Sequence, residues 1–123
     1  MTAVLVVEDE VDVLELVQDA LERRGLRVRS ALSDVAAYAI LEAEAPDFGM
    51  LIADINLGVG TTGFDVARRA RTLNPNLKVV YISGHAAHVE RHGVADALMF
   101  PKPFYADELA DEVVDLLKDG GRA

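Results

Sequence analysis

Ala3-Val4-Leu5-Val6-Val7-Glu8-Asp9-Glu10, residues 3–10, sets five apolar residues directly against three acids. An unbroken run of Val and Leu reads as a strand buried on both faces, the pattern of a parallel sheet. Similar runs recur at Met50–Ala53, Lys78–Ile82 and Ala97–Phe100, while Arg27–Ala31 alternates and reads as an edge strand. Amphipathic stretches lie between them. Val11, Leu14, Val17 and Leu21 form one stripe; Ala36, Ile40 and Ala43 form another behind Ser33 as N-cap. Val66, Ala70 and Leu73 form a third that stops before Pro75, and Leu109, Val113, Leu116 and Leu117 form the last. Ala86–His92 is the short, polar candidate for the remaining helix. Alternation of this kind predicts right-handed βαβ units, an α/β chain of (βα)5 form with a doubly wound five-stranded parallel sheet and helices on both faces. One domain over residues 1–123 is expected, with residues 118–123 as a frayed tail.

Composition narrows the function classes. The 123 residues carry a formal net charge of −9 and no cysteine. Such an acidic balance argues against a nucleic-acid surface, which needs clustered Lys and Arg. Without cysteine there are no disulfides, thiol nucleophiles or thiolate zinc sites. The longest apolar run, Val35 to Leu41, falls far short of the roughly 20 residues that span a bilayer, and no signal peptide is evident. A soluble cytoplasmic domain with no membrane contact is the expectation.

In an open α/β sheet, ligands bind beyond the carboxyl ends of the strands. Glu8 and Asp9 follow the first strand, Asp54 ends the third, Ser83-Gly84 ends the fourth and Lys102-Pro103 follows the fifth. Three carboxylates, a hydroxyl and an ammonium therefore converge on one edge. Carboxylates packed together repel one another, and a hard divalent cation such as Mg²⁺ relieves that conflict. A carboxylate beside Mg²⁺ is a competent nucleophile toward a phosphoryl group, and the lysine and hydroxyl can hold its oxygens. Taken singly, each residue has an ordinary reading: Asp9 as a helix cap, Asp54 and Ser83 as turn residues, Lys102 as a surface lysine. Their joint placement at the strand ends carries the specificity.

Val4-Leu5-Val6-Val7-Glu8-Asp9-Glu10, Leu51-Ile52-Ala53-Asp54-Ile55-Asn56-Leu57, Val79-Val80-Tyr81-Ile82-Ser83-Gly84 and Lys102-Pro103-Phe104 together resemble the receiver domains of two-component response regulators, over essentially the whole chain. The resemblance implies a flavodoxin-like strand order 2-1-3-4-5 and a phosphorelay function. It implies Asp54 as phosphoacceptor. Mg²⁺ would be held by Asp9, Asp54 and the backbone carbonyl of Asn56, with Glu8 acting through water. Ser83 and Lys102 would hold phosphoryl oxygens, Gly84 would leave access to the acyl phosphate, and the peptide before Pro103 would be cis. The implied partners are a sensor histidine kinase or histidine phosphotransfer protein, and an output protein on the face of the fourth helix, fifth strand and fifth helix. Self-catalysed phosphorylation and dephosphorylation, rather than enzymatic turnover, would follow.

Two segments depart from the family pattern. Met99 stands where the family usually has a Tyr or Phe whose rotamer reports phosphorylation; Tyr81, Phe100 and His85 are the candidate replacements, and core filling is the plain alternative for Met99. The loop Leu57-Gly58-Val59-Gly60-Thr61-Thr62-Gly63 is one residue longer than the commonest version, a feature shared with some stand-alone receivers. His85, at a position that tunes the hydrolytic water, is followed by His88 and His92 at helical spacing; they read either as partner-facing histidines or as transition-metal ligands. A stand-alone receiver is the first reading, and a receiver excised from a hybrid kinase or DNA-binding regulator the second. A Mg²⁺-dependent aspartyl-phosphate phosphatase would want an Asp where Asn56 stands. A flavin carrier would want a hydroxyl- and glycine-rich loop in place of Glu8-Asp9-Glu10.

Overall fold

Each of the five runs read as strands becomes one. The structure, a computed structural model, describes residues 3–57, 62–84 and 93–120. In it β1 (Ala3–Val7), β2 (Arg27–Ala31), β3 (Phe48–Asp54), β4 (Lys78–Ser83) and β5 (Leu98–Pro101) form one sheet in the order β2-β1-β3-β4-β5, all neighbours parallel. Four helices are described: α1 (Val11–Glu22), α2 (Asp34–Glu44), α3 (Gly63–Leu73) and α4 (Ala106–Gly120). The helix expected at Ala86–His92 lies outside the described residues, as do His85, His88, His92 and Gly58–Thr61. The helix at the end of the chain continues to Gly120, past Lys118, where the sequence suggests a frayed end.

Alternation along the central strands explains the two layers. Leu5, Val7, Leu51, Ala53, Val79 and Tyr81 face α2 and α3, whereas Val4, Val6, Met50, Ile52, Val80 and Ile82 face α1 and α4. Both faces are covered, so β1, β3 and β4 read as continuous apolar runs. Burying side chains of this size stabilises by about 1.5–3 kcal/mol each before the entropy of ordering is set against it. The alternating β2 is an edge, as expected. β5 is the other edge, and its ends are exposed.

Some helix faces are turned relative to the sequence reading. In α1, Leu14, Val17 and Leu21 are buried with Ala20, but Val11 is half exposed. In α2 the deepest residues are Ala37 and Leu41; Ala36 and Ile40 pack at the margin and Ala43 is exposed. The run from Val35 to Leu41 is apolar all round, so periodicity could not single out its buried stripe. Ser33 does cap α2, accepting from the Ala36 N–H at 3.1 Å.

Helix α3 begins with a reciprocal capping box. Thr62 Oγ1 accepts from the Asp65 N–H, and Asp65 Oδ2 accepts from the Thr62 N–H at 3.1 Å. The next residue, Gly63, donates to the Ile55 carbonyl at 3.0 Å, and a Cβ there would lie 2.3 Å from the Asp54 carbonyl oxygen. Glycine is thus required by close approach, and Gly63→Ala is expected to cost about 1–3 kcal/mol by overpacking. A lower urea midpoint with an unchanged m-value is the expected reading; an unaltered midpoint would refute it.

Candidate functional site

The carboxyl ends of β1, β3, β4 and β5 deliver the site. Asp54 ends β3 and is 3% exposed; its Oδ1 accepts from the Asn56 N–H at 2.9 Å and its Oδ2 from the Lys102 ammonium at 2.5 Å. Lys102 directly follows β5, and the peptide from it to Pro103 is cis. Its backbone N–H donates to the Ser83 carbonyl at 2.9 Å, which ties the lysine to the end of β4. Ser83 itself is buried. Asp54 therefore has an amide on one oxygen and an ammonium on the other.

Glu8 follows β1 and is 1% exposed. Its N–H donates to the Ala31 carbonyl at the end of β2, its Oε2 accepts from the Glu10 N–H at 3.1 Å, and its Oε1 lies 3.7 Å from the Lys102 ammonium. That oxygen is buried and has no hydrogen-bond partner among the described residues. Burial, then the neighbouring Asp54 and Asp9 carboxylates, push the Glu8 carboxyl up to about 8, against the lowering effect of the Glu10 amide. Burial pulls the Lys102 ammonium down, but Asp54, Glu8 and Glu10 outweigh it and leave its pKa raised.

Glu8, Asp9 and Glu10 can bring one carboxylate oxygen each to within 4.8 Å of one another. Asp9 does not cap α1: the N-cap is Glu10, without a side-chain cap hydrogen bond. Both exposed acids are thus left without a capping role. Oxygen-only donors, one of them buried and orphaned beside a second buried carboxylate, fit a hard divalent cation such as Mg²⁺. Glu10 is the residue that sequence reasoning passed over; its place in the acidic run was the available signal.

The candidate switch residues separate onto different faces. Tyr81 is wholly buried, in register with Met99 on β5, and Met99 is partly buried. Phe100 packs on the opposite face, edge-on to Phe104 at 5.7 Å, so it cannot occupy the space beside Met99. Gly84 is exposed, and among the described residues a Cβ there would meet nothing within 4 Å. Beside the site, α1 and the chain after Lys102 enclose a groove of about 470 Å³ lined by Val13, Leu16, Val17, Pro103, Phe104 and Ala106, with Glu10 and Lys102 also lining it. Among the described residues, no helix is long and apolar enough to cross a membrane.

Comparison with known proteins agrees with this geometry. The family model described as response regulator receiver domain matches residues 4–114. The response regulator receiver protein CpdR of Brucella abortus is 32% identical over 120 residues, 95% of this chain and 98% of that protein. A response regulator receiver protein from Sinorhizobium medicae superposes with a TM-score of 0.88 at 29% identity, covering 97% of this chain and 96% of that one. The response regulator TrrA of Thermotoga maritima, solved in complex with Mg²⁺ and BeF, superposes with a TM-score of 0.81 at 25% identity over 94% of this chain and 99% of that one.

Proposed function

The chain belongs to the response regulator receiver domain family, and we propose that within its phosphorelay function Asp54 is the residue that accepts the phosphoryl group. The observation that carries this reading is the buried Asp54 carboxylate, held by the Asn56 amide and the Lys102 ammonium. An Asp54 oxygen attacks phosphorus, the bond from phosphorus to the donor's leaving group breaks, and an acyl phosphate remains. Lys102 exchanges its carboxylate partner for a phosphoryl oxygen, and Ser83 supplies a directed hydrogen bond. Asp9, Asp54 and the Asn56 carbonyl would hold Mg²⁺, with Glu8 behind them and Glu10 beside them. When bound, Mg²⁺ neutralises these acids and the charge on the transferring oxygens. The complex of TrrA with Mg²⁺ and BeF supports the assignment by likeness. Incubation with Mg²⁺ and acetyl phosphate, followed by intact mass, tests it: one phosphoryl adduct on Asp54 is expected, and none overturns it.

The donor is a histidine kinase or histidine phosphotransfer protein, and it docks on the groove beside Lys102. Leu16 is 63% exposed there, flanked on α1 by Asp12, Glu15 and Asp19. A partner surface with an apolar residue ringed by basic ones complements it. Leu16→Glu is expected to slow transfer from a phosphorylated histidine donor by roughly 10- to 100-fold, the worth of one buried leucine. Labelling by acetyl phosphate is expected to stay at the wild-type rate; equal loss with both donors counts against docking at this groove. The output protein binds the face that includes β5, and the site works in the cytoplasm.

A further inference from the structure

Resting on that reading of Asp54, we propose that Tyr81 is a latch whose hydroxyl holds the Val94 amide in the unphosphorylated protein and lets it go when Asp54 is phosphorylated. Tyr81 is wholly buried, and its hydroxyl accepts from the Val94 N–H at 3.1 Å. A buried phenol is costly without such a partner, so the contact locates the ring as well as the chain at Val94.

Three connections join this latch to the site. Along β4, Tyr81 lies two residues before Ser83, so the two side chains share a face of the strand. Across the core, the Tyr81 ring meets Phe64 edge-on at 5.1 Å. Phe64 follows Gly63, whose N–H donates to the Ile55 carbonyl and whose Cα abuts the Asp54 backbone. A pull on Ser83 toward a phosphoryl group therefore shifts the strand that carries Tyr81, while α3 and Phe64 stay pinned to Asp54. The hydroxyl then leaves Val94.

The same turn has a second fastening remote from the site. Arg71 Nε donates to the Leu77 carbonyl at 2.6 Å and its Nη1 to the Ala95 carbonyl at 2.7 Å. Leu77 lies at the opposite end of β4 from Ser83, so Arg71 acts as the fixed pivot and Tyr81 as the moving contact. Met99, in register with Tyr81, has no hydroxyl to make this bond. The group that senses the site has thus moved from β5 to β4.

Hydrogen exchange at the peptide containing Val94, with intact mass recording the adduct, tests the latch. In the wild type, phosphorylation by acetyl phosphate and Mg²⁺ is expected to speed Val94 exchange roughly 2- to 12-fold, the worth of one net hydrogen bond. Tyr81→Phe is expected to show the faster rate before phosphorylation and no further rise after it. Arg71→Met is expected to loosen the turn yet keep the rise. Wild-type basal exchange in Tyr81→Phe, or a full phosphorylation-dependent rise in that variant, overturns the proposal. A missing adduct in the wild type overturns the reading of Asp54 and with it the release, while the basal comparison still decides whether the Tyr81 hydroxyl holds the Val94 amide.

Discussion

Asp54→Asn is expected to yield no phosphoryl adduct with acetyl phosphate and Mg²⁺, where the wild type yields one. The amide is nearly isosteric and can still accept from the Asn56 N–H, so the fold should be kept. What is lost is the anionic oxygen that attacks phosphorus and pairs with Lys102 at 2.5 Å. Lys102→Met serves as the companion change. It leaves the nucleophile but removes the ammonium that meets charge on the transferring group, and the loss of one such preorganised contact typically costs about 10²–10³ in rate. An adduct of wild-type yield in Asp54→Asn would place the acceptor elsewhere and sink the assignment.

The second large effect concerns stability. Glu8 is buried with its carboxyl pushed up to about 8 from an ordinary 4.5, chiefly by burial and then by the acids beside it. Its folded pKa is the higher one, so between about pH 4.5 and pH 8 the folded state binds the extra proton. Its contribution is therefore full at the acidic end of that window and is lost as pH rises through it, the reverse of a salt-bridged carboxylate. The loss is on the order of 3–5 kcal/mol. In EDTA, the unfolding midpoint temperature is expected to fall across this window. Saturating Mg²⁺ should reduce the fall, because a cation then meets the charge that a proton otherwise removes. Glu8→Gln, neutral at every pH, should flatten the profile and raise the midpoint at pH 8 in EDTA. A wild-type slope in Glu8→Gln would show that another group sets it.

Much of the architecture could be read directly because the central strands are covered on both faces. Ala3–Val7 has no polar residue to interrupt it, and its burial is uniform. Arg27–Ala31 alternates because it lies at an edge, where one side of the strand meets water. The helices were harder. In α2, Ala36, Ala37, Ile40 and Leu41 all suit a buried face, and only the seat of the helix on the sheet chose Ala37 and Leu41. The start of α3 was hidden for another reason: its capping box and the close approach of Gly63 to Asp54 depend on how Thr62 and Gly63 sit against the end of β3.

The residues of the site were legible for the same reason as the strands. A parallel sheet brings all its carboxyl ends to one edge, so Glu8, Asp9, Asp54, Ser83 and Lys102 had to meet once the strands were identified. Residue type and strand position alone thus determined the fold class and the proposed phosphoacceptor. Tertiary structure decided the quantities that depend on distance and burial: which Asp54 oxygen Lys102 holds, why Glu8 keeps its proton far above the carboxylate range, and where the Tyr81 hydroxyl points. Those depend on water excluded by residues remote in sequence, and on a backbone amide at Val94 brought beside Tyr81 only when β4 and β5 are laid side by side.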